Sequence, residues 1–386
     1  MLPPLSADQQ RHSAALAALI RDQVLGAGGW ISFERFMELA LYAPGMGYYS
    51  AGARKLGPGG DFVTAPQMSG LFSRCVARGC AEVLARCGGQ ILEVGAGTGV
   101  MAAGVLRELS ACGVLPSRYA ILEVSADLAA RQREHLAQLP RELRERVVWL
   151  EQLPAAPVHG VILANEVADA LPCRRFLCRD AQVHEFGVGI GEAGEFEERT
   201  GAADPALARA CGALFEGLGT PLPDGYVSEL SLTVGPWITS LAHCLGGGAL
   251  LLFDYGLPQR HYYHPQRLTG TLRCHFQQRV HDDPYVNVGV QDITAWVDFT
   301  RVAQAGVDAG LSVAGFATQA AYLLASGLEQ LVAEARDDIE RARLSGEARR
   351  LIMPEEMGEA FKVMALTRAL AGPLAGFALQ DLRDLL

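Results

Sequence analysis

The chain has no C-x-x-C pair, although it carries nine cysteines, at 75, 80, 87, 112, 173, 178, 211, 244 and 274. Zinc-type ligand spacing is therefore missing, and cysteines scattered through a long chain read as reduced core thiols. Basic charge is scarce: 33 Lys and Arg against 43 Asp and Glu leave a formal net charge of −10. Phosphate recognition needs a basic surface, so a general nucleic-acid binder is disfavoured. No segment approaches the roughly 20 apolar residues of a membrane span. The N-terminal Met1-Leu2-Pro3-Pro4 leads into a polar, Ala-rich stretch instead of a charged region followed by an apolar one. The expectation is a cytoplasmic protein without a secretion signal or membrane contact. There is no internal repeat, no low-complexity tract, no G-x-S-x-G elbow and no H-E-x-x-H helix. His261 and His264 lack a third ligand, so no metal is expected. His281 beside Asp282 reads as a polar turn before Pro284.

What remains is a chain of 386 residues, half hydrophobic and one-fifth charged. That length suits one large α/β domain with insertions or two smaller domains. Its most informative stretch is Ile91-Leu92-Glu93-Val94-Gly95-Ala96-Gly97-Thr98-Gly99. A buried strand breaks into alternating glycines and enters a helix, predicted over Val100 to Leu109. Glycine turns of this kind let the backbone approach a ligand closely, because no Cβ stands in the way. Dinucleotide folds want G-x-G-x-x-G, and Val100 stands where the third glycine should be. A G-x-G-x-G spacing behind the carboxylate of Glu93 is instead the pattern that binds S-adenosylmethionine (SAM). A nicotinamide-dependent oxidoreductase is correspondingly disfavoured.

The next segment agrees. Tyr119 to Glu123 is a second apolar strand ending in an acid, followed by Val124 and by Ser125 as a helix N-cap. An acid at that strand tip grips ribose hydroxyls. Further apolar runs at Val147–Leu150, Val161–Asn165 and Ala249–Tyr255 alternate with helical stretches, and Ser312–Thr318 and Phe361–Thr367 supply two last strands. Strands alternating with helices imply a mostly parallel sheet with helices on both faces. Residues 1–88 read as a helical N-terminal region with a Gly-rich lid, and 89–386 as the main domain. Insertions fall at about 174–226 and 256–300 and form a substrate-side subdomain. Phe176 to Gly201 reads as an antiparallel excursion, and Gly256 to Asn287 as a loop over the active face.

Ligands of open parallel sheets sit outside the carboxyl ends of the strands. Glu151 or Gln152, after the third strand, suits the adenine amino group. Asn165-Glu166-Val167-Ala168-Asp169, after the fourth, is where acceptor chemistry is expected. Glu166 and Asp169 are three residues apart, so a helical turn beginning there would place both on one face. Two carboxylates there can hold a guanidinium through paired charge-assisted hydrogen bonds.

Several stretches in combination resemble the MidA family of SAM-dependent methyltransferases. They are Gly47-Tyr48-Tyr49, Gly60-Asp61-Phe62-Val63-Thr64-Ala65-Pro66, Ala164-Asn165-Glu166, Asp169-Ala170-Leu171-Pro172 and Phe253-Asp254-Tyr255-Gly256. Gly270-Thr271-Leu272, Gln291-Asp292-Ile293-Thr294 and Met357-Gly358-Glu359 with Phe361-Lys362 continue the likeness. This is the family of the mitochondrial complex I assembly methyltransferase and its bacterial relatives. The resemblance implies a class I methyltransferase fold and SAM as cofactor. It also implies arginine of a protein as acceptor, and a complex I (NADH dehydrogenase) subunit as a candidate partner. It further implies that Asp61, Thr64 and Pro66 help enclose SAM, and it agrees with Asn165, Glu166 and Asp169 addressing the acceptor. Where the family commonly has Pro-Glu, this chain has Pro66-Gln67, which removes a carboxylate near the cleft. An assembly chaperone that binds SAM without turnover is the alternative. The oligomeric state stays open, a homodimer included.

Overall fold

The structure, a computed structural model, describes residues 2–51 and 64–386. The chain divides into two compact units, each built from three segments. One comprises the described residues of Met1–Phe62 with Asp169–Gly235 and Gln259–Trp296. The other comprises those of Val63–Ala168 with Pro236–Pro258 and Val297–Leu386.

The second unit contains the expected sheet. Its strands are β1 (Gln90–Val94), β2 (Tyr119–Leu122), β3 (Val147–Leu150), β4 (Val158–Asn165), β5 (Leu245–Leu257), β6 (Val297–Asp298), β7 (Ser312–Thr318) and β8 (Phe361–Arg368). They lie in the order β7-β8-β5-β4-β1-β2-β3, with β6 added to the end of β5. Strands β3, β2, β1, β4 and β5 are mutually parallel. β8 runs against both β5 and β7. The central strands are unbroken apolar runs because both faces are covered: Ile91, Leu92, Val161, Ile162, Leu163 and Ala249 to Phe253 are all buried. The helix Gly70–Cys87, grouped by sequence with the N-terminal region, packs Phe72, Cys75, Val76, Cys80 and Val83 into this core.

Two glycines let β4 and β5 approach. Gly160 and Gly248 face each other in register, both at φ +123. A Cβ on Gly248 would stand 1.9 Å from the Gly160 carbonyl oxygen. The backbone conformation alone costs a non-glycine residue about 1–3 kcal/mol. Gly248→Ala should therefore lower the thermal unfolding midpoint by several degrees, whereas alanine at Gly346, which has open space around it, should not.

In the first unit, the helices Ala7–Gly26 and Phe33–Tyr42 bury Leu16, Ile20, Phe33, Phe36, Met37 and Leu41. The excursion forms antiparallel strands Arg174–Arg179, Gln182–Ile190 and Phe196–Ala202, extended by Val227–Leu230 and Ile31–Ser32. Arg174 ties helix to sheet: its guanidinium bonds Glu34 at 2.6 Å, Asp204 at 2.7 Å and Glu185.

The second insertion is not a loop. Arg273–Phe276 pairs with Arg279–His281 and with Asp292–Thr294 as a three-stranded antiparallel sheet. All nine cysteines are free thiols, and seven of them are buried, as reduced core residues should be. No helix among the described residues is long and apolar enough to cross a membrane.

Candidate active site

The sheet order changes direction where β1 lies beside β4, and open α/β sheets bind ligands at such a point. The glycine turn follows β1. Gly95, Gly97 and Gly99 adopt φ of +65, +54 and +80, so every second residue needs a left-handed backbone that only glycine takes without strain. A Cβ on Gly95 would come within 3.1 Å of Val167 Cγ2. Ala96 is buried between the glycines and Thr98 half-buried. The helix Val100–Ala111 then starts with no acidic residue in its first turn, leaving its positive end to a bound anion. Thr98 accepts from Gln67 Nε2 at 3.3 Å. Gln67 Oε1 accepts from Thr64 N at 3.4 Å, at the start of the helix Ala65–Met68, whose Pro66 is buried. The residue that departs from the family pattern thus ties this short helix to the glycine turn. Asp61 lies outside the described residues.

After β2, the Glu123 carboxylate is held on both sides. Ser125 N donates to Oε1 at 2.9 Å and Gln132 Nε2 to Oε2 at 2.9 Å. Val124 beside it is 77% exposed, an apolar side chain open to solvent. Ser125 caps the helix Ala126–Leu136, as its sequence predicts. Glu151 and Gln152 are exposed after β3.

Glu93 sits one residue inside β1, 1% exposed, and accepts from the Tyr119 hydroxyl at 2.6 Å. Burial raises its carboxyl to about 7, the Tyr119 hydrogen bond offsetting only part of that. The unfolded group titrates near 4.5, so between these values the folded state holds a proton that the unfolded state has lost. The contribution of Glu93 to stability is full below about pH 4.5 and is lost as the pH rises through 7. Glu93→Gln should therefore leave the ligand-free protein unchanged at low pH and stabilise it at pH 8. The gain is roughly 3 kcal/mol at most, read as the difference in denaturation midpoints at the two pH values.

After β4, Asn165 Nδ2 donates to Glu166 Oε1 at 3.0 Å, while the buried Asn165 Oδ1 has no hydrogen-bond partner. The helical turn expected at Glu166 does not form. Glu166 takes φ +52, its N–H bonds the Phe253 carbonyl, and Asp254 Oδ2 accepts from Val167 N at 3.2 Å and Ala168 N at 2.9 Å. A left-handed residue cannot begin a right-handed helical turn, so Glu166 and Asp169 share no helical face. Asp169 begins the other unit. There it is buried, its carbonyl accepts from Ala295 N, and its charge helps push the buried Tyr42 and Tyr49 hydroxyls above their usual range, after burial itself and Asp292.

Two groups at the sheet escaped the sequence reading as separate features. One is Gln132, buried on the helix Ala126–Leu136. Lys362, opposite Asp254 across β5 and β8, is 6% exposed, and burial brings its ammonium down to about 8. A lysine inside the apolar run Phe361–Leu366 was its signal.

The donor set fits SAM. A helix start without acids suits the carboxylate of its amino-acid end, the unpartnered Asn165 Oδ1 suits the ammonium, and Glu123 beside Val124 suits the adenosine. The mostly parallel sheet with one reversed strand, and this cradle at its switch point, define a class I SAM-dependent methyltransferase.

The chain belongs to a family of S-adenosyl-L-methionine-dependent methyltransferases, whose model matches residues 75–317. A crystal structure of a COG1565 superfamily member from Burkholderia thailandensis with bound S-adenosyl-homocysteine (SAH) is similar over 100% of both chains, at 42% identity and a TM-score of 0.94. Among curated relatives, the mitochondrial protein arginine methyltransferase NDUFAF7 of Danio rerio is 27% identical over 88% of this chain and 84% of its own. The NDUFAF7 homolog of Drosophila melanogaster is 28% identical over 94% and 87%. The cofactor is SAM.

Proposed function

We propose that the protein methylates an arginine side chain of a protein partner. The observation that carries this reading is Glu166, an acid held on a left-handed backbone beside Asn165 at the end of β4. Such strain is kept where surrounding structure enforces it, and it clusters at functional sites. The names of the NDUFAF7 relatives support the same acceptor.

In this reading Gly95, Ala96, Gly97, Thr98 and Gly99 approach SAM through their backbone, with Glu93 buried behind them. Thr64 and Pro66 close the turn from the short helix. Glu123 takes the ribose hydroxyls, Val124 lies along the adenine, and Glu151 or Gln152 accepts from its amino group. Asn165 holds the ammonium through Oδ1 and orients Glu166 through Nδ2.

SAM supplies a methyl group activated on a sulfonium sulfur. Glu166 pairs with the acceptor guanidinium, which stays protonated at any working pH, and aims one nitrogen. It then takes up the proton that the new N–C bond displaces. Because the donor is already activated, positioning supplies most of the help, and well-oriented groups gain about 7–11 kcal/mol.

The test is incubation with methyl-labelled SAM and isolated NADH dehydrogenase subunits, the partner class implied by the family resemblance. Methylarginine in a digested subunit supports the reading. SAH binding without transfer to any protein, together with rescue of partner assembly by a variant that binds no SAH, would instead identify an assembly chaperone.

A further inference from the structure

The helix Ala126–Leu136 turns Leu128, Ala129, Gln132 and Leu136 inward. Three of these are apolar; the fourth is an amide at 0% exposure. Burying an amide is unfavourable unless its hydrogen bonds are remade, and here they are. Gln132 Nε2 donates to the Gly97 carbonyl at 2.9 Å and to Glu123 Oε2 at 2.9 Å. Its Oε1 accepts from Trp149 Nε1 at 3.0 Å. Only one orientation satisfies this set, because flipping the amide would set its oxygen against two acceptors and its NH2 against a donor.

These partners come from three different places. Gly97 belongs to the turn after β1, Glu123 to the tip of β2 and Trp149 to β3. A Cβ on Gly99 would lie 3.5 Å from the Gln132 side chain, so the same residue also underlies the helix start. The other oxygen of Glu123 is fixed by the backbone of Ser125. Gln132 thus fixes the second oxygen of that carboxylate and joins it to the glycine turn.

We propose that Gln132 is a positioning residue that creates ribose recognition in the cofactor site. Without touching the ligand, it locks Glu123 in register with Gly97. This inference rests on the assignment of Glu123 to the ribose hydroxyls.

The experiment compares calorimetric binding of SAH and of its 2′-deoxy analogue, for the wild type, Gln132→Leu and Gln132→Glu. A hydrogen bond to a charged group corresponds to about 10- to 150-fold in affinity, so the wild type should prefer SAH at least tenfold. Gln132→Leu should reduce that preference to threefold or less while binding the deoxy analogue almost as before. Gln132→Glu is close to isosteric but offers one O–H in place of two N–H donors, and only while protonated. Two facing carboxylates share a proton and lose it as the pH rises. The ribose preference of this variant should therefore persist at pH 5.5 and collapse at pH 8, with the wild type level across that range. A purely structural glutamine would shift the melting temperature and leave the preference alone.

A wild type that binds both ligands equally overturns the Glu123 assignment, and this inference with it. A wild type that discriminates, alongside variants that discriminate equally at pH 8, overturns the role of Gln132 alone. Should Gln132→Leu fail to fold, Gln132→Glu carries the same decision.

Discussion

Replacing Gly97 with arginine should abolish SAH binding, with a loss of at least about a hundredfold and no ligand-induced rise in melting temperature. The backbone at Gly97 is left-handed, φ +54, which costs any L side chain roughly 1–2 kcal/mol. That strain is present before any ligand arrives, so it falls on the fold, and Gly97→Ala should chiefly lower the melting temperature. The larger effect comes from bulk, since the turn works by letting its backbone reach the ligand and a long side chain occupies that approach. The sheet should survive, because its core is built from the strands and the helices packed on them, to which the turn adds Ala96 and not Gly97. Unchanged affinity in a folded Gly97→Arg protein would mean that the cofactor lies elsewhere.

Glu166→Gln should separate transfer from binding. The amide keeps the size of the side chain but loses the charge that pairs with a guanidinium and the basicity that receives its proton. A positioned proton acceptor is worth about 10²- to 10⁴-fold, so turnover should fall by at least about 10². SAH affinity should stay near the wild-type value, and the loss should appear mainly in kcat. Retention of full turnover by both Glu166→Gln and Asp169→Asn would remove the acceptor assignment for this segment. The two variants are best read singly, since the backbone between them is pinned by Asp254 and forms no helical turn.

The glycine turn and the strand and helix that follow it were legible in the sequence because their signals are local. Alternating glycines after a buried run, an acid at the end of the next strand and a serine cap each work through neighbours a few residues away. What the sequence hid depends on distant partners or on unusual turn residues. The 256–287 segment read as a loop partly because its hairpin lacks a recognisable turn. Gln277 and Gln278 both take positive φ, +46 and +60, in a two-residue connection between Phe276 and Arg279, where such turns usually call for Asn-Gly or Asp-Gly. Its third strand comes from residues 292–294, too far along the chain for periodicity to reveal. The helical turn at Glu166 was a reasonable expectation from spacing, and it fails because Glu166 itself takes a left-handed backbone, φ +52, its N–H bonded to the Phe253 carbonyl of β5. Gln132 did leave a trace. It interrupts the stripe Leu128, Ala129, Leu136, and a polar residue on the buried side of a helix should prompt the question of what it bonds.

The interleaving of the two units bears on how the protein is made. On the ribosome, the helix Phe33–Tyr42 emerges with six residues that will be buried. Yet Ile31 must await its partner Val188, and the core around Phe36 also needs Leu272, Cys274, Val288 and Ile293. Closing such long loops is slow, and waiting apolar surface invites aggregation. The nascent N-terminal segment therefore needs protection until about three-quarters of the chain has been synthesised, and neither unit can be excised as a continuous piece.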